Sequence, residues 1–275
     1  IFRSKMRVLQ FGLLGAGHLP VFFGIMFTLM LGTTYCFSVF RGDVDPVFPY
    51  ISASGDHRPE SCLFSMLLNI CAFTSALLIH LRYSLIVELN RSYDGTLKIV
   101  NKISFYIGLL GAFGMFIVAN FQETAVIIVH FTAAVTCFGG SVVYMICHAW
   151  ISHRMVPLYA SRRVAHWRTV FAAVGSILFF TAVFFGVYAA HVFHEKFPDL
   201  PTPRPWSSKA NQPGYNYHVI SAIAEWILAL INMSFFLSFS REFEKIRVEL
   251  RVQPLVTHLD HSPAWSSTES LPGSP

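Results

Sequence analysis

The 275-residue chain is 54% hydrophobic and 15% aromatic but only 13% charged, roughly half the charge of an average water-soluble domain. That balance argues against a soluble globular fold and for a membrane protein. The net charge of +5 sits in connecting segments with no interleaved stacking aromatics, so it reads as topology and attraction to anionic lipid rather than nucleic-acid binding.

The chain opens at Ile1 with a basic segment, Arg3, Lys5 and Arg7. Because it does not begin with Met, it is taken as incomplete or processed. The apolar run that follows is too long for a signal-peptide core and lacks a small-x-small cleavage site after it, so it is expected to be a retained span. A crossing needs about 20 mostly apolar residues. Six stretches qualify, at about 18–40, 61–81, 103–119, 124–151, 169–193 and 217–240. The expected fold is therefore all-α, a polytopic six-helix membrane bundle.

Between the first two spans lies an acidic loop with Asp43, Asp45, Asp56 and Glu60. Pro46 and Pro49 hold it extended and "SASGD" supplies a turn. Asp43-x-Asp45 is a bare carboxylate pair and reads as part of a solvated loop, not a metal site. Phe48, Tyr50 and Ile51 are expected to pack on the bundle mouth or at the lipid interface. The second span carries Asn69, Thr74 and Ser75. "YSLI" at Tyr83–Ile86 has the form of a sorting signal, but its place against the membrane makes a helix end the simpler reading. The third span has Gly108, Gly111 and Gly114 on one side, which favours close packing. "NFQE" then makes a tight turn into the fourth span, forcing an antiparallel hairpin. His130, Ala134, Cys137, Ser141, Tyr144 and His148 alternate by four and three along that span, a stripe suited to a helix interface. The Pro-rich loop before the sixth span is irregular and suits a cover or a partner surface. The segment 252–275 is rich in Ser and Pro and is expected to be a disordered cytosolic tail.

Basic residues set the orientation. Fifteen of the 20 Lys and Arg fall in the N-terminal segment, the second and fourth connections and the C-terminal tail. Arg41, Arg58, Lys196, Arg204 and Lys209 fall on the other side. The positive-inside bias places both termini in the cytosol. In that topology the sequons at Asn90 and Asn232 carry no glycan. The five cysteines, Cys36, Cys62, Cys71, Cys137 and Cys147, have no metal-binding spacing. Cys36 and Cys62 lie near the outer ends of neighbouring spans, where a disulfide or simple packing are both open. No phosphate-binding Gly-rich loop, GxSxG or HExxH occurs, and His148 and His153 are five apart. No catalytic residue, cofactor or metal is expected.

The sixth span holds the one acidic residue within any run, Glu225. His218, Ser221, Glu225 and Asn232 fall on one helical face. Such a polar stripe is expected to turn inward. Depth counted from the helix ends matches Glu225 to Asn69 or His130, so a bond to one of them is expected. Two readings stand: a proton- or ligand-responsive site, or a polar point that fixes helix packing.

Several blocks of the sequence resemble the damage-regulated autophagy modulator (DRAM) family. They are Pro49, Tyr50, Ile51 and Ser52; Pro59, Glu60 and Ser61 with Asn69; Asn120, Phe121 and Gln122 with His130; His218, Glu225 and Trp226; and Phe243 at the exit of the last span. The resemblance runs from about Leu19 to Arg251, while the fifth span, the last loop and "SGDHRPE" depart from the pattern. It implies a non-enzymatic regulator of autophagy in lysosomal or endosomal membranes, tied to stress or apoptosis signalling; two ways of acting stand open, binding protein partners through its loops and tail or influencing lipid or proton balance through the polar seam. The wider superfamily includes proteins that remodel GPI-anchor lipids, which makes lipid handling the alternative. A channel subunit is a third reading, without an acidic ring or carbonyl filter to support it.

Overall fold

A computed structural model describes residues 8–11, 16–90, 94–246 and 248–251. Six long helices account for most of it: α1 His18–Arg41, α2 Glu60–Leu89, α3 Gly95–Asn120, α4 Ile127–Arg154, α5 Arg162–Lys196 and α6 Tyr215–Leu237. A short α7, Ser240–Phe243, continues the line of α6. All six crossings are long and apolar enough to span a bilayer, and the chain is a multi-pass integral membrane protein. Large side chains such as Phe73, Phe180 and Phe184 stand exposed on the outside. In water they would form an aggregation-prone surface, whereas against lipid they are matched.

Several helices run past the apolar stretches that announce them. α2 continues to Leu89 and α3 starts at Gly95, so Arg82, Lys98 and Lys102 lie on helices rather than in a loop. Apolar windows end at the first charge, but Lys and Arg are good helix formers. Capping fixes the true ends. Asp94 accepts from the Thr96 and Leu97 amides at 3.0 and 3.2 Å, and Ser161 accepts from the Val164 amide at 3.2 Å, filling orphan donors of the first turn. The Asn90 side chain is spent on Asp94, donating to its carbonyl and accepting from its amide, each at 3.0 Å.

Each helix packs on its neighbours in sequence, α6 closes on α1, and α4 reaches α6 across the middle. The core is aromatic and aliphatic, with Phe23, Met30, Leu78, Met145, Leu228, Phe235 and Phe239 almost wholly buried. α3 and α4 approach most closely. A Cβ added at Gly114 would lie 2.8 Å from the Ala133 carbonyl oxygen and 2.9 Å from the Cys137 nitrogen. The small-residue side of α3 is thus where two backbones nearly touch. All five cysteines are free thiols, so Cys36 and Cys62 are not bridged.

One feature lies outside the all-helical expectation. β1 (Val8–Phe11) pairs antiparallel with β2 (Val248–Arg251), Val8 opposite Arg251 and Phe11 opposite Val248. The ribbon joins these two segments at one end of the bundle, here called proximal. The opposite, distal end carries the α1–α2, α3–α4 and α5–α6 connections. The tail at 252–275 lies outside the described residues.

Gly114→Val is expected to lower the thermal midpoint of the detergent-purified protein, at a cost of about 1–3 kcal/mol for overpacking. Gly32→Ala, where an added Cβ meets nothing within 4 Å, is expected to leave the midpoint unchanged or slightly raised.

Candidate functional site at the distal end

The α1–α2 loop does not float above the bundle. It dips into it, and α6 holds it there. The Trp226 indole N–H donates to the Pro49 carbonyl at 2.8 Å. The Ile51 amide donates to Glu225 Oε2 at 3.2 Å. The Tyr50 hydroxyl donates to Ser221 Oγ at 3.0 Å, and Ser221 in turn donates to the Ala182 carbonyl at 2.6 Å. Three consecutive loop residues are therefore pinned by three residues of one helix. Burial drives the Tyr50 phenol up to about 12, with the nearby Glu225 carboxylate adding to the rise against the Ser221 bond and Arg204. The phenol stays protonated and keeps donating.

The other two distal connections complete the lid. Glu123, from the α3–α4 turn, accepts from the Ser52 hydroxyl at 3.1 Å and pairs with Arg204 of the last loop. Burial lowers the Arg204 pKa, opposed by Tyr50 and Asp56. Trp206 stacks on His218 with centroids 5.3 Å apart and planes within 10°, and Tyr50 meets the same imidazole edge-on at 4.5 Å. Asp45 ties the first loop to the last by accepting from the Ser208 amide at 2.9 Å. Gly214 allows the last loop to turn into α6. Its φ is +89°, and a Cβ there would lie 2.3 Å from the Ala189 carbonyl oxygen.

Beneath this lid is a cavity of about 210 Å³ between α4, α5 and α6. Glu225, His130, Tyr50, Ser52, Glu123 and Arg204 line its polar end, and Phe131, Phe138, Phe179 and Leu228 its apolar part. The polar face read on α6 is partly gathered here: Ser221 and Glu225 line this cavity, and His218 sits in the lid above it. Asn232 lies deeper, beside a void of about 20 Å³ shared with Ser75, Ser141 and Tyr144.

The expected partners of Glu225 are not its partners. Asn69 and Asn120 form a reciprocal amide pair between α2 and α3, at 3.1 and 2.9 Å. His130 Nδ1 lies 2.6 Å from the Phe121 carbonyl. Counting depth along helices ignores the direction in which each side chain points. Among the remaining residues of the resembling blocks, Glu60 is buried at the start of α2 with Arg41 Nε 2.7 Å away. Pro59 and Ser61 flank it, and the Gln122 carbonyl accepts from the Ala125 and Val126 amides in the turn. Among the described residues no three His, Cys, Asp or Glu side chains group to hold a metal ion.

A second polar cluster, at the proximal end, escapes sequence reading altogether. The side chains of Arg82 and Arg168 are 2% and 0% exposed and both pair with Glu242. Arg168 also donates to Ser152 Oγ at 2.9 Å, Ser238 Oγ at 3.0 Å and the Ser238 carbonyl at 3.1 Å. Both guanidinium groups lie over the Phe239 ring, at 4.9 and 4.5 Å. In the sequence both arginines look like ordinary positive flanks of a membrane span.

A family model described as Frag1/DRAM/Sfk1/Cwh43P N-terminal domain matches residues 15–246. The chain belongs to this family. It is 33% identical over 220 residues to human DNA damage-regulated autophagy modulator protein 1, covering 80% of this chain and 87% of that protein. It is 32% identical over 228 residues to the bovine DNA damage-regulated autophagy modulator protein 2, covering 82% and 84%. The zebrafish modulator of macroautophagy TMEM150B matches at 26% over 230 residues, 83% of this chain and 85% of that protein. No solved structure matches the chain. The match to the DRAM resemblance seen in the sequence blocks is therefore one of family across nearly the whole bundle.

Removing the counter-charge of the proximal cluster tests its weight in this DRAM-family fold. Glu242→Gln leaves two buried arginines without an anion and is expected to cost about 3–5 kcal/mol. The readout is thermal unfolding in detergent, with Arg163→Gln on the exposed surface expected to be neutral.

Proposed function

We propose that this chain is a non-enzymatic membrane regulator of autophagy of the DRAM type. It resides in lysosomal or endosomal membranes and is linked to stress or apoptosis signalling. The observation that carries this reading is the breadth of the likeness. Relatives named as autophagy modulators align over 80% or more of the chain, so the loops and the seam are included, not just a generic bundle. The distal lid and the tail are the surfaces through which it meets protein partners. The distal cavity groups a carboxylate with a histidine, but the hydroxyls of Tyr50, Ser52 and Ser221 beside them donate to other groups rather than to Glu225 or His130. Both termini lie in the cytosol, a reading that rests on the 15-to-5 split of basic residues and on the ribbon that keeps both ends together.

Autophagic flux tests this directly. Cells lacking the protein are expected to show reduced turnover of a lysosome-delivered reporter under starvation, restored by the wild-type chain at matched abundance. Unchanged flux without the protein sinks the reading. Topology has its own readout: a protease applied to intact organelles is expected to remove epitope tags from both ends, and protection of either tag contradicts the orientation.

A further inference from the structure

We propose that the distal cavity is a binding site for an amphiphile that carries a primary ammonium group on a hydrocarbon chain. The hydrogen-bond inventory of its polar end decides the chemistry. Every hydroxyl proton of Tyr50, Ser221 and Ser52 is already donated within the protein, to Ser221, the Ala182 carbonyl and Glu123 respectively. Arg204, the one cation among the lining residues, is paired with Glu123. Acceptors are what remain. Glu225 uses Oε2 for the Ile51 amide, and its Oε1 has no partner among the described residues. Phe121 offers His130 only a carbonyl, so Nδ1 must carry the proton. That leaves Nε2 of the neutral ring as an acceptor with no partner among the described residues, on a side chain that lines the cavity.

A site with spare acceptors and spent hydroxyls favours a ligand that brings N–H groups, and an unpaired carboxylate favours one that is positive. A fatty acid or a phosphate would meet Glu225 with like charge, and the Arg204 guanidinium that could take an anion is already paired with Glu123. The rest of the cavity demands hydrocarbon. Its deep wall is Phe138, Phe179 and Leu228, and it opens between α4 and α5 where Ile127, Phe131 and Val187 are exposed on the membrane-facing surface. A chain lying in the cleft thus continues into the bilayer. At about 210 Å³, the cavity exceeds the ~150 Å³ apolar cavity known to take up benzene. The ammonium group can come from a free long-chain amine or from an aminophospholipid, and the test separates the two.

This inference goes beyond the autophagy reading and is tested without it. The full chain is reconstituted in phosphatidylcholine nanodiscs, which hold no primary amine. The probe is an 18-carbon amine bearing a photoreactive group on its chain. Saturable labelling of α4, α5 and α6 peptides is expected. Unlabelled 18-carbon amine is expected to compete and the 18-carbon acid is not. Competition by phosphatidylethanolamine marks a bilayer lipid as the source; competition by the free amine alone marks a single-chain ligand. Glu225→Gln keeps an acceptor for the Ile51 amide and is expected to weaken binding by about tenfold or more, the loss of one charge-assisted hydrogen bond. Ala134→Leu fills the cavity from α4 and is expected to weaken it similarly, with both variants first shown to melt like wild type. Equal competition by the acid overturns the proposal. So does undiminished binding to Glu225→Gln, or labelling confined to the lipid-facing side of α5. The wild-type amine-against-acid comparison decides the matter even where a variant fails to fold.

Discussion

The bond from the Ile51 amide to Glu225 is the contact on which the distal half of the molecule depends. A carboxylate inside a membrane bundle needs a hydrogen-bond donor, because lipid offers none. A loop amide at the bundle mouth is equally in need of an acceptor once it leaves water. Each answers the other, and the consequence is geometric. To reach Glu225 the α1–α2 loop must descend between the helices, which brings Tyr50 onto Ser221 and the Pro49 carbonyl onto Trp226. The loop then forms a lid, and the lid creates the cavity. Apolar residues at position 225 and its neighbours would still make a helix, but nothing would draw the loop down.

α4 connects this end of the molecule to the other. Its stripe begins with His130 and Ala134 at the cavity, and passes Cys137 and Ser141 where α3 presents Gly114 and Gly111. It ends with Tyr144 and His148 near the arginine cluster. Small residues in the middle let α3 and α4 meet backbone to backbone. Polar residues at both ends make the contacts that lipid cannot. At the proximal end two arginines share one glutamate, and the Phe239 ring between them takes up part of the excess positive charge as a cation–π partner. Breaking such a set is costly even though building it is not an efficient source of stability.

The six crossings, their order and the glycine face of α3 were legible in the sequence because each is a local pattern: a long apolar run, a tight turn, small residues at helical spacing. The inward face of α6 was legible for the same reason. What sequence spacing could not give was azimuth between helices. Asn69 stands at a depth like that of Glu225, but it faces α3 and pairs with Asn120. Nor could spacing show that a loop, rather than a helix, supplies the partner. Arg82 and Arg168 were misleading because charge near a membrane boundary usually means exposure. Here α2 and α5 extend beyond their apolar runs, so the arginines lie about two turns inside the helix ends. Arg204 was hidden for a different reason. A single basic residue in a Pro-rich loop gives no local cue that Glu123, 81 positions earlier, waits beneath it.

The two ends therefore divide the work. At the proximal end Arg82 and Arg168 are buried against Phe239 and Glu242, and a ribbon pairs Val8–Phe11 with Val248–Arg251. At the distal end the polar groups close a lid over open space instead of filling it. Local stability follows the density of buried contacts, so the proximal end is the anchor and the distal end the part free to respond. Tyr50, Ile51 and Pro49 bond to the same helix whose continuation carries Glu242 into the arginine cluster. The last span is thus held at both ends by polar contacts that lipid cannot supply, and the hollow lies beside only one of them.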